Sequence, residues 1–562
     1  MKISTERTVA LVAVLACSQI AIGQARMWVF FADKGFSSPQ EVQRAIDREE
    51  SRLLSATRQR LLKVRPAGQL LTQADLPVCS AYLQAIEQLT GLMPHALCRA
   101  ANAASYAFSP QQIKRVRELP FVRETRPVLS FRGEADPPVE LQMGKSSYRS
   151  LDDSLFYGGS YLQNVLENFP LAHDAGYSGE GVFVGMLDAG WNNLDHICFD
   201  SLEIIATWDF VNGDSSVAND SSQMGEGSHG TKTLSCLAGY DPGNLIGAAY
   251  GISVALAKTE NTESETLIEE DNWAAGIEWL DSLGCVIASS SVSYGTLHTY
   301  PELNGDSTII TIAADNAVAR GMVVVNSAGN HGTWGYPGDK MSPPSDGDSV
   351  LAIGAANPDS SRASFSSMGP TYDGRIKPDL MALGVSVKVA RPDSVAGYTY
   401  NSGTSFSTPI TAGACALLLQ ADPALAPMAV YAFLKATGDQ LANPDTLRGW
   451  GIYNVWQAIQ DVLAGAPPQQ QISLPDKFQI IGIYPNPFNP DVRLVFELPA
   501  AGDVCLGIYD VLGRQLAGIV QDHLSPGRHA LIWEAESSSS AVYFLRLETP
   551  WGIQIGRAVM TK

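Results

Sequence analysis

A chain of 562 residues is too long for one core, so three or four domains are expected. With 45% hydrophobic and 17% charged residues it is globular in composition, far from the disordered class. The formal net charge of −20 argues against a nucleic-acid partner.

The acidity is uneven. Residues 26–135 carry 16 Lys/Arg against 10 Asp/Glu, whereas 136–562 carry 20 against 47. A basic piece beside an acidic remainder suits two parts that dock on each other.

Residues 1–25 read as a secretory signal: Lys2 and Arg7 come first, then an apolar run from Val9 to Ile22, then small Gly23 and Ala25 for cleavage. The run is too short for a membrane span, and no other is long enough, so an exported, soluble mature protein is expected. Val14-Leu15-Ala16-Cys17 is only a faint lipoprotein signal. Without Cys17, seven cysteines remain, with no CxxC pair and no metal-ligand spacing; Cys79 with Cys98 and Cys198 with Cys236 are candidate bridges.

In the N-terminal piece, 26–135, Trp28-Val29-Phe30-Phe31 predicts a strand. Ser38-Pro39-Gln40-Glu41 predicts a capping box and a first-turn proline, opening a helix to about Lys63. Helical stretches follow at Tyr82–Leu89 and Pro110–Leu119, giving a small α+β domain without a catalytic constellation. Residues 136–156 form a turn-rich linker and processing region.

From 157 to 465, short apolar runs alternate with helical patterns. The predicted strands are Val182–Leu187, Ile204–Trp208, Val254–Lys258, Val286–Val292, Met322–Asn326 and Leu351–Ala355. Predicted helices are Leu267–Leu283, closed by Gly284, and Thr308–Arg320, closed by Gly321. Runs apolar on both faces mean a doubly wound parallel sheet, in an α/β class, with its site at the strands' C-terminal ends.

The residues just after those runs are informative. Asp188 sits at the tip of the first strand, and alone would be a turn residue. His229, in Gly227-Ser228-His229-Gly230-Thr231, opens a helix over Lys232–Ala238, and alone would be structural. Gly225 to Gly230 also fits GxGxxG, but polar Asn219–Gln223 precedes it where a strand is required, so a dinucleotide site is rejected. Asn330 follows the strand Met322–Asn326. Ser405 lies in Gly403-Thr404-Ser405-Phe406-Ser407, a loop entering an Ala-rich helix; alone it would be an N-cap. The pattern is not GxSxG.

Together the four residues have one chemistry. Serine needs a base to become a nucleophile. His229 can take and return that proton, Asp188 can hold its tautomer, and Asn330 with the Ser405 backbone N–H can meet an oxyanion.

These residues and their surroundings resemble the subtilisin-like serine peptidases over about Tyr157–Ile459. The blocks are Gly179–Gly190, His229–Gly239, Asn326–Gly332, Ala363–Leu380 and Ser402–Gly413. The resemblance implies Asp188, His229 and Ser405 as triad and Asn330 as oxyanion donor. It implies Ser293-Tyr294-Gly295 as the strand that pairs with substrate, and Ser327-Ala328-Gly329 as the facing wall of the P1 pocket. Ala189 departs from the Ser or Thr common after the aspartate, and bulky Tyr294 is expected to narrow the subsites. No cofactor is required, and structural calcium stays open without positions. Residues 26–135 resemble the propeptide of such enzymes, a folding chaperone and inhibitor.

After a linker at 466–483, the pattern turns to period two, with Val492, Leu494, Phe496 and Leu498 on one face. Further predicted strands are Val504–Tyr509, Ala530–Glu534, Val542–Glu548 and Ile553–Met560, which together read as an Ig-like β-sandwich. Residues 484–562 resemble the type A sorting domain of type IX secretion substrates, through YPNPFNP, IYDVLGR and YFLRLE. The expected whole is a secreted or cell-surface serine endopeptidase made as a zymogen. Its expected partners are protein or peptide substrates, its own propeptide and the type IX machinery, with no nucleic acid. Alternatives are a catalytically silent surface binding protein and an esterase on the same fold.

Overall fold

The computed structural model describes residues 25–128, 130–131, 155–218, 228–260, 268–294, 298–333, 340–465, 478–484, 486, 488, 491–498, 502–524, 527–535 and 538–561. Residues 1–24 of the signal-like leader, most of both linkers and Gly295 fall outside them. The chain divides into two compact units, 1–468 and 469–562.

The first unit opens with β1 (Ala25–Phe31), then α1 (Pro39–Arg52), α2 (Ser55–Leu62) and α3 (Ser80–Thr90). There follow β2 (Ala96–Cys98), β3 (Ala103–Phe108), α4 (Pro110–Arg117), β4 (Val122–Pro127) and β5 (Ser130–Phe131). Four of these strands form a sheet in the order β2-β3-β1-β4. The long helix expected to reach Lys63 is two helices, because the chain turns extended at Leu53 and Leu54. Ser38 caps α1 by accepting from Glu41 N, but the Glu41 carboxylate returns to Ser37 N at 2.8 Å, one residue short of a capping box.

The parallel sheet is built from β6 (Phe183–Asp188), β7 (Glu203–Asp209), β8 (Ser253–Lys258), β10 (Ile287–Ser290), β11 (Val323–Ser327), β12 (Leu351–Ala356) and β13 (Leu380–Leu383). Its order is β13-β12-β11-β10-β6-β8-β7, parallel throughout. The two-residue strand β9 (Ile268–Glu269) precedes α6 (Glu270–Leu283). The remaining site-bearing helices are α5 (His229–Ala238), α7 (Ile309–Ala319) and α8 (Thr404–Ala421), and an antiparallel pair, β14 (Val387–Ala390) and β15 (Tyr398–Asn401), precedes α8 in the chain. The strand order reverses at β6: the chain first moves out to β7 and β8, then crosses to β10. Asp188 therefore ends the strand at the switch point, where an open α/β sheet leaves a crevice.

One face of the sheet is covered by α8 and its neighbours, with Phe406, Ile410 and Leu417 in the core. The other face is covered by α6 and α7. Here the core continues into the N-terminal sheet: Trp28, Phe30, Ala96, Cys98 and Ala103 are buried with Trp273, Ile277, Ile310 and Ala314. Burial of one such large apolar side chain contributes about 1.5–3 kcal/mol. Gly321, which closes α7 at φ +89°, also lets α2 approach, since a Cβ there would sit 2.5 Å from Arg60 O.

Among the described residues every cysteine is free, so the two candidate bridges are not formed. Cys79 faces Gly35, while Cys98 is sealed in the core under α6; Cys236 Sγ donates to Lys232 O at 3.5 Å inside its helix.

The second unit has two antiparallel sheets. One contains β16 (Gln479–Tyr484), β17 (Asp491–Leu498) and β20 (Gly527–Glu534), in that order. The other, in the order β19-β18-β21-β22, contains β18 (Gly502–Tyr509), β19 (Gln515–Leu524), β21 (Val542–Thr549) and β22 (Gly552–Val559). Val492, Leu494, Phe496 and Leu498 share one core with Leu506, Leu545 and Leu547. β16 lies, but for Tyr484, in the stretch 466–483 read as linker, and β19 had no counterpart in the sequence reading.

Candidate active site

The site begins at Asp188, fully buried. Its Oδ1 accepts from Ala189 N at 2.7 Å and faces His229 Nδ1 at 2.6 Å; its Oδ2 accepts from Thr233 Oγ1 at 2.9 Å. His229 and Thr233 lie four apart on α5, hence on one helix face, so one helix addresses both carboxylate oxygens. Ala189 offers no hydroxyl here, and Thr233 supplies one from the opposite side. A carboxylate on Nδ1 keeps the proton there and leaves the Nε2 lone pair for chemistry. The helix starts at His229 itself, three residues earlier than expected. Gly230 permits it: a Cβ at 230 would lie 2.4 Å from Gly190 O and 2.7 Å from the Trp191 ring.

Ser405 is the second residue of α8 and is 7% exposed. Pro409 lies inside this helix and has no N–H to give the carbonyl four residues back. That carbonyl belongs to Ser405, and Ser291 Oγ takes it up at 2.8 Å. Reciprocally, Ser405 Oγ donates to Ser291 O at 3.1 Å. Ser291 follows β10, so this exchange pins the start of α8 to the central strand. The His229 ring lies 6.0 Å from that of Phe406, the residue after Ser405.

Asn330 is oriented by Thr404, whose N and Oγ1 both donate to Asn330 Oδ1 at 3.0 Å. A backbone N–H can only donate, so the amide oxygen is fixed on Thr404 and Nδ2 is the donor edge. Behind it, Ser327 ends β11, Ala328 is buried, and Gly329 O accepts from Ser367 N at 2.8 Å. Asn326 Nδ2 donates to Val292 O at 3.3 Å and to Ser345 Oγ at 3.1 Å, tying this wall to the segment that carries Ser293 and Tyr294.

Ser293 is half-buried. Tyr294 differs from expectation: its side chain is fully buried, its N donates to Pro343 O at 3.1 Å and its hydroxyl donates to Glu260 Oε1. It therefore supports the segment from beneath and does not narrow a subsite. Gly295 lies outside the described residues.

Four contributors escaped the sequence reading: Thr233, Ser291, Glu260 and β9. Only Thr233 had a signal, its spacing of four from His229. β9 pairs antiparallel with β5, with Phe131 opposite Ile268 and Ser130 opposite Glu269, a two-stranded sheet that joins the end of the N-terminal domain to the segment before α6. Among the described residues no group of three or more His, Cys, Asp or Glu could hold a metal ion, so calcium gains no position.

The subtilase family model of Peptidase S8 matches residues 179–451. Subtilisin DY of Bacillus licheniformis is 32% identical over 285 residues, which are 51% of this chain and 93% of that protein. The chain belongs to the subtilase family. Subtilisin E of Bacillus subtilis is 31% identical over 293 residues, 52% of this chain and 69% of its own. The alkaline protease of Shouchella clausii is 28% identical over 346 residues, 60% of this chain and 80% of its own. Residues 26–138 match the Bacteroidota propeptide domain of Peptidase S8. The subtilase is thus a subtilisin-type serine endopeptidase carrying its propeptide, and the two matched segments are the two parts of the first unit. Among its described residues no helix is long and apolar enough to cross a membrane.

Proposed function

We propose that this subtilase cleaves peptide bonds through an acyl-enzyme on Ser405, and that it is held as a zymogen by residues 26–135. His229 takes the Ser405 proton on Nε2 and returns it to the leaving amine; Asp188 stabilises the imidazolium that forms between. Asn330 Nδ2 and the Ser405 backbone N–H meet the oxyanion. Ser293, Tyr294 and Gly295 bind substrate backbone opposite Ser327, Ala328 and Gly329. The observation that carries this is the 2.6 Å bond from Asp188 to His229 Nδ1, with the ring set against the first turn of α8. The Ser405 hydroxyl turns from Ser291 O toward His229 when substrate binds, a rotation about one side-chain bond.

The leader 1–25 directs export, and residues 484–562 act as a type IX sorting domain that delivers the enzyme outside the cell or to its surface. Supporting this are the sequence blocks named above and a second unit that is compact by itself.

The test is fluorophosphonate labelling and peptide hydrolysis by the purified protein beside Ser405→Ala. The variant is expected to lose both, with kcat down about a millionfold. Retained turnover in Ser405→Ala, or a wild type that neither labels nor cleaves once its N-terminal domain is removed, would transfer the chain to the binding-protein reading.

A further inference from the structure

Beside the Asp188–His229 pair lies a second carboxyl group that this mechanism leaves unused. Glu260 comes two residues after β8 and is 1% exposed. Its Oε1 accepts from Thr259 Oγ1 at 3.0 Å and from the Tyr294 hydroxyl. Both donors are fastened to the site. Thr259 N donates to Asp188 O at 3.0 Å, and Tyr294 belongs to the segment assigned to substrate backbone. The cluster thus joins the acid end of the triad to the substrate strand through a single carboxyl group. We propose that Glu260 is a positioning residue of the catalytic centre, bracing the substrate strand through Tyr294 and adding its negative charge to that of Asp188 when His229 becomes an imidazolium. The proposal rests on the triad reading above.

The surroundings set when that charge is present. Burial pushes the Glu260 carboxyl up to about 8; the Tyr294 and Thr259 hydrogen bonds pull it down, Asp188 adds to the rise, and His229 opposes it. Tyr294 also senses Glu270 and Asp271 of α6, of which Glu270 faces His298 at 3.5 Å and Asp271 faces Arg26 at 3.6 Å. Lys258, the nearest cation along β8, is committed to Asp209 at 2.9 Å. Below pH 8, then, Glu260 is neutral and His229 sees Asp188 alone. Above it, Glu260 has lost its proton to solvent, and a second negative charge favours the imidazolium of the transition state.

The consequence is a second rise in kcat/KM through about pH 8, beyond the one in which His229 loses its proton. Its expected size is about threefold to tenfold. The experiment is kcat/KM for a peptide substrate, and the fluorophosphonate labelling rate, from pH 5 to 10 in wild type, Glu260→Gln and Tyr294→Phe. Glu260→Gln should keep the lower rise and lose the upper one. Tyr294→Phe removes a donor to the carboxylate, so its upper rise should move to higher pH while KM increases.

A loss by the same factor at every pH in Glu260→Gln overturns the proposal by leaving Glu260 a brace with no electrostatic part, and no change at any pH overturns it by removing Glu260 from the catalytic centre. If Glu260→Gln does not fold, an upper rise that stays in place in Tyr294→Phe overturns it equally. Failure of the triad reading looks different: the wild type itself does not label.

Discussion

Two aspartates of the first unit are equally buried, and they are used in opposite ways. Asp188, at the tip of β6, meets one imidazole, one hydroxyl and one backbone N–H. Asp281, on α6 under the propeptide domain, meets three guanidinium groups. Arg60 pairs with Oδ1, while Arg99 at 2.8 Å and Arg320 at 2.9 Å share Oδ2. Arg60 and Arg99 come from the propeptide side and Arg320 from the C-cap of α7. Burial alone would raise the Asp281 carboxyl, but Arg60, Arg320 and Arg99 outweigh it and hold it below the usual range. The first setting leaves a group able to respond as a proton moves nearby. The second removes that freedom and fixes a surface. Burial is the same at both; the charge of the partner decides the use.

The comparison breaks most visibly at Asp188. Asp188→Asn would favour the wrong imidazole tautomer, and kcat should fall about 10⁴-fold with little change in the unfolding midpoint. A loss under tenfold on a peptide substrate would remove Asp188 from the mechanism. At Asp281 the expected effect is on stability. Asp281→Ala strands buried guanidinium groups and should destabilise the full chain by about 3–5 kcal/mol in denaturant unfolding. A change under 1 kcal/mol would mean that water already screens the cluster.

The same contrast predicts a pH dependence. Asp281 and Asp75 are held below their unfolded values, the latter against burial by Arg65, Thr72 and Arg320; Asp379 is held at about 2 by Lys377 and Lys435 despite burial. Groups shifted this way contribute stability that is present above their unfolded pKa, near 4, and lost as pH falls through the folded value. The denaturation midpoint of the full chain should therefore drop steadily below pH 4, and Asp281→Asn should flatten that drop. A midpoint constant to pH 2 would contradict the assignment. The smallest effect is expected at Thr233. Thr233→Val should lower kcat/KM about tenfold, with Thr233→Ser restoring most of it, because one neutral hydrogen bond to a charged group is at stake.

The parallel sheet was legible because six of its seven strands coincide with short, mainly apolar runs set between helical patterns. β13 was not, since Leu380–Leu383 is four residues long and follows a Gly- and Pro-rich stretch that carries no strand period. The break between α1 and α2 has no Gly or Pro to announce it; Leu53 and Leu54 simply leave helical space. At the site, Asp188 and Asn330 could be named because each follows a predicted strand, and His229 and Ser405 because each lies where a loop enters a predicted helix. Ser291 and Glu260 could not, because their partners are distant in sequence: the carbonyl freed by Pro409 and the hydroxyl of Tyr294. The inward turn of Tyr294 was hidden for the same reason, since side-chain direction at the end of a strand depends on what lies beneath it.

The pairing of β5 with β9 places the end of the propeptide on the enzyme while both belong to one chain. A tethered segment meets its site at an effective concentration in the millimolar range, whatever the amount of protein in solution. Once the chain is cut beyond Phe131, that concentration becomes the real one. On the zymogen reading proposed above, latency then turns into an ordinary equilibrium that dilution can reverse.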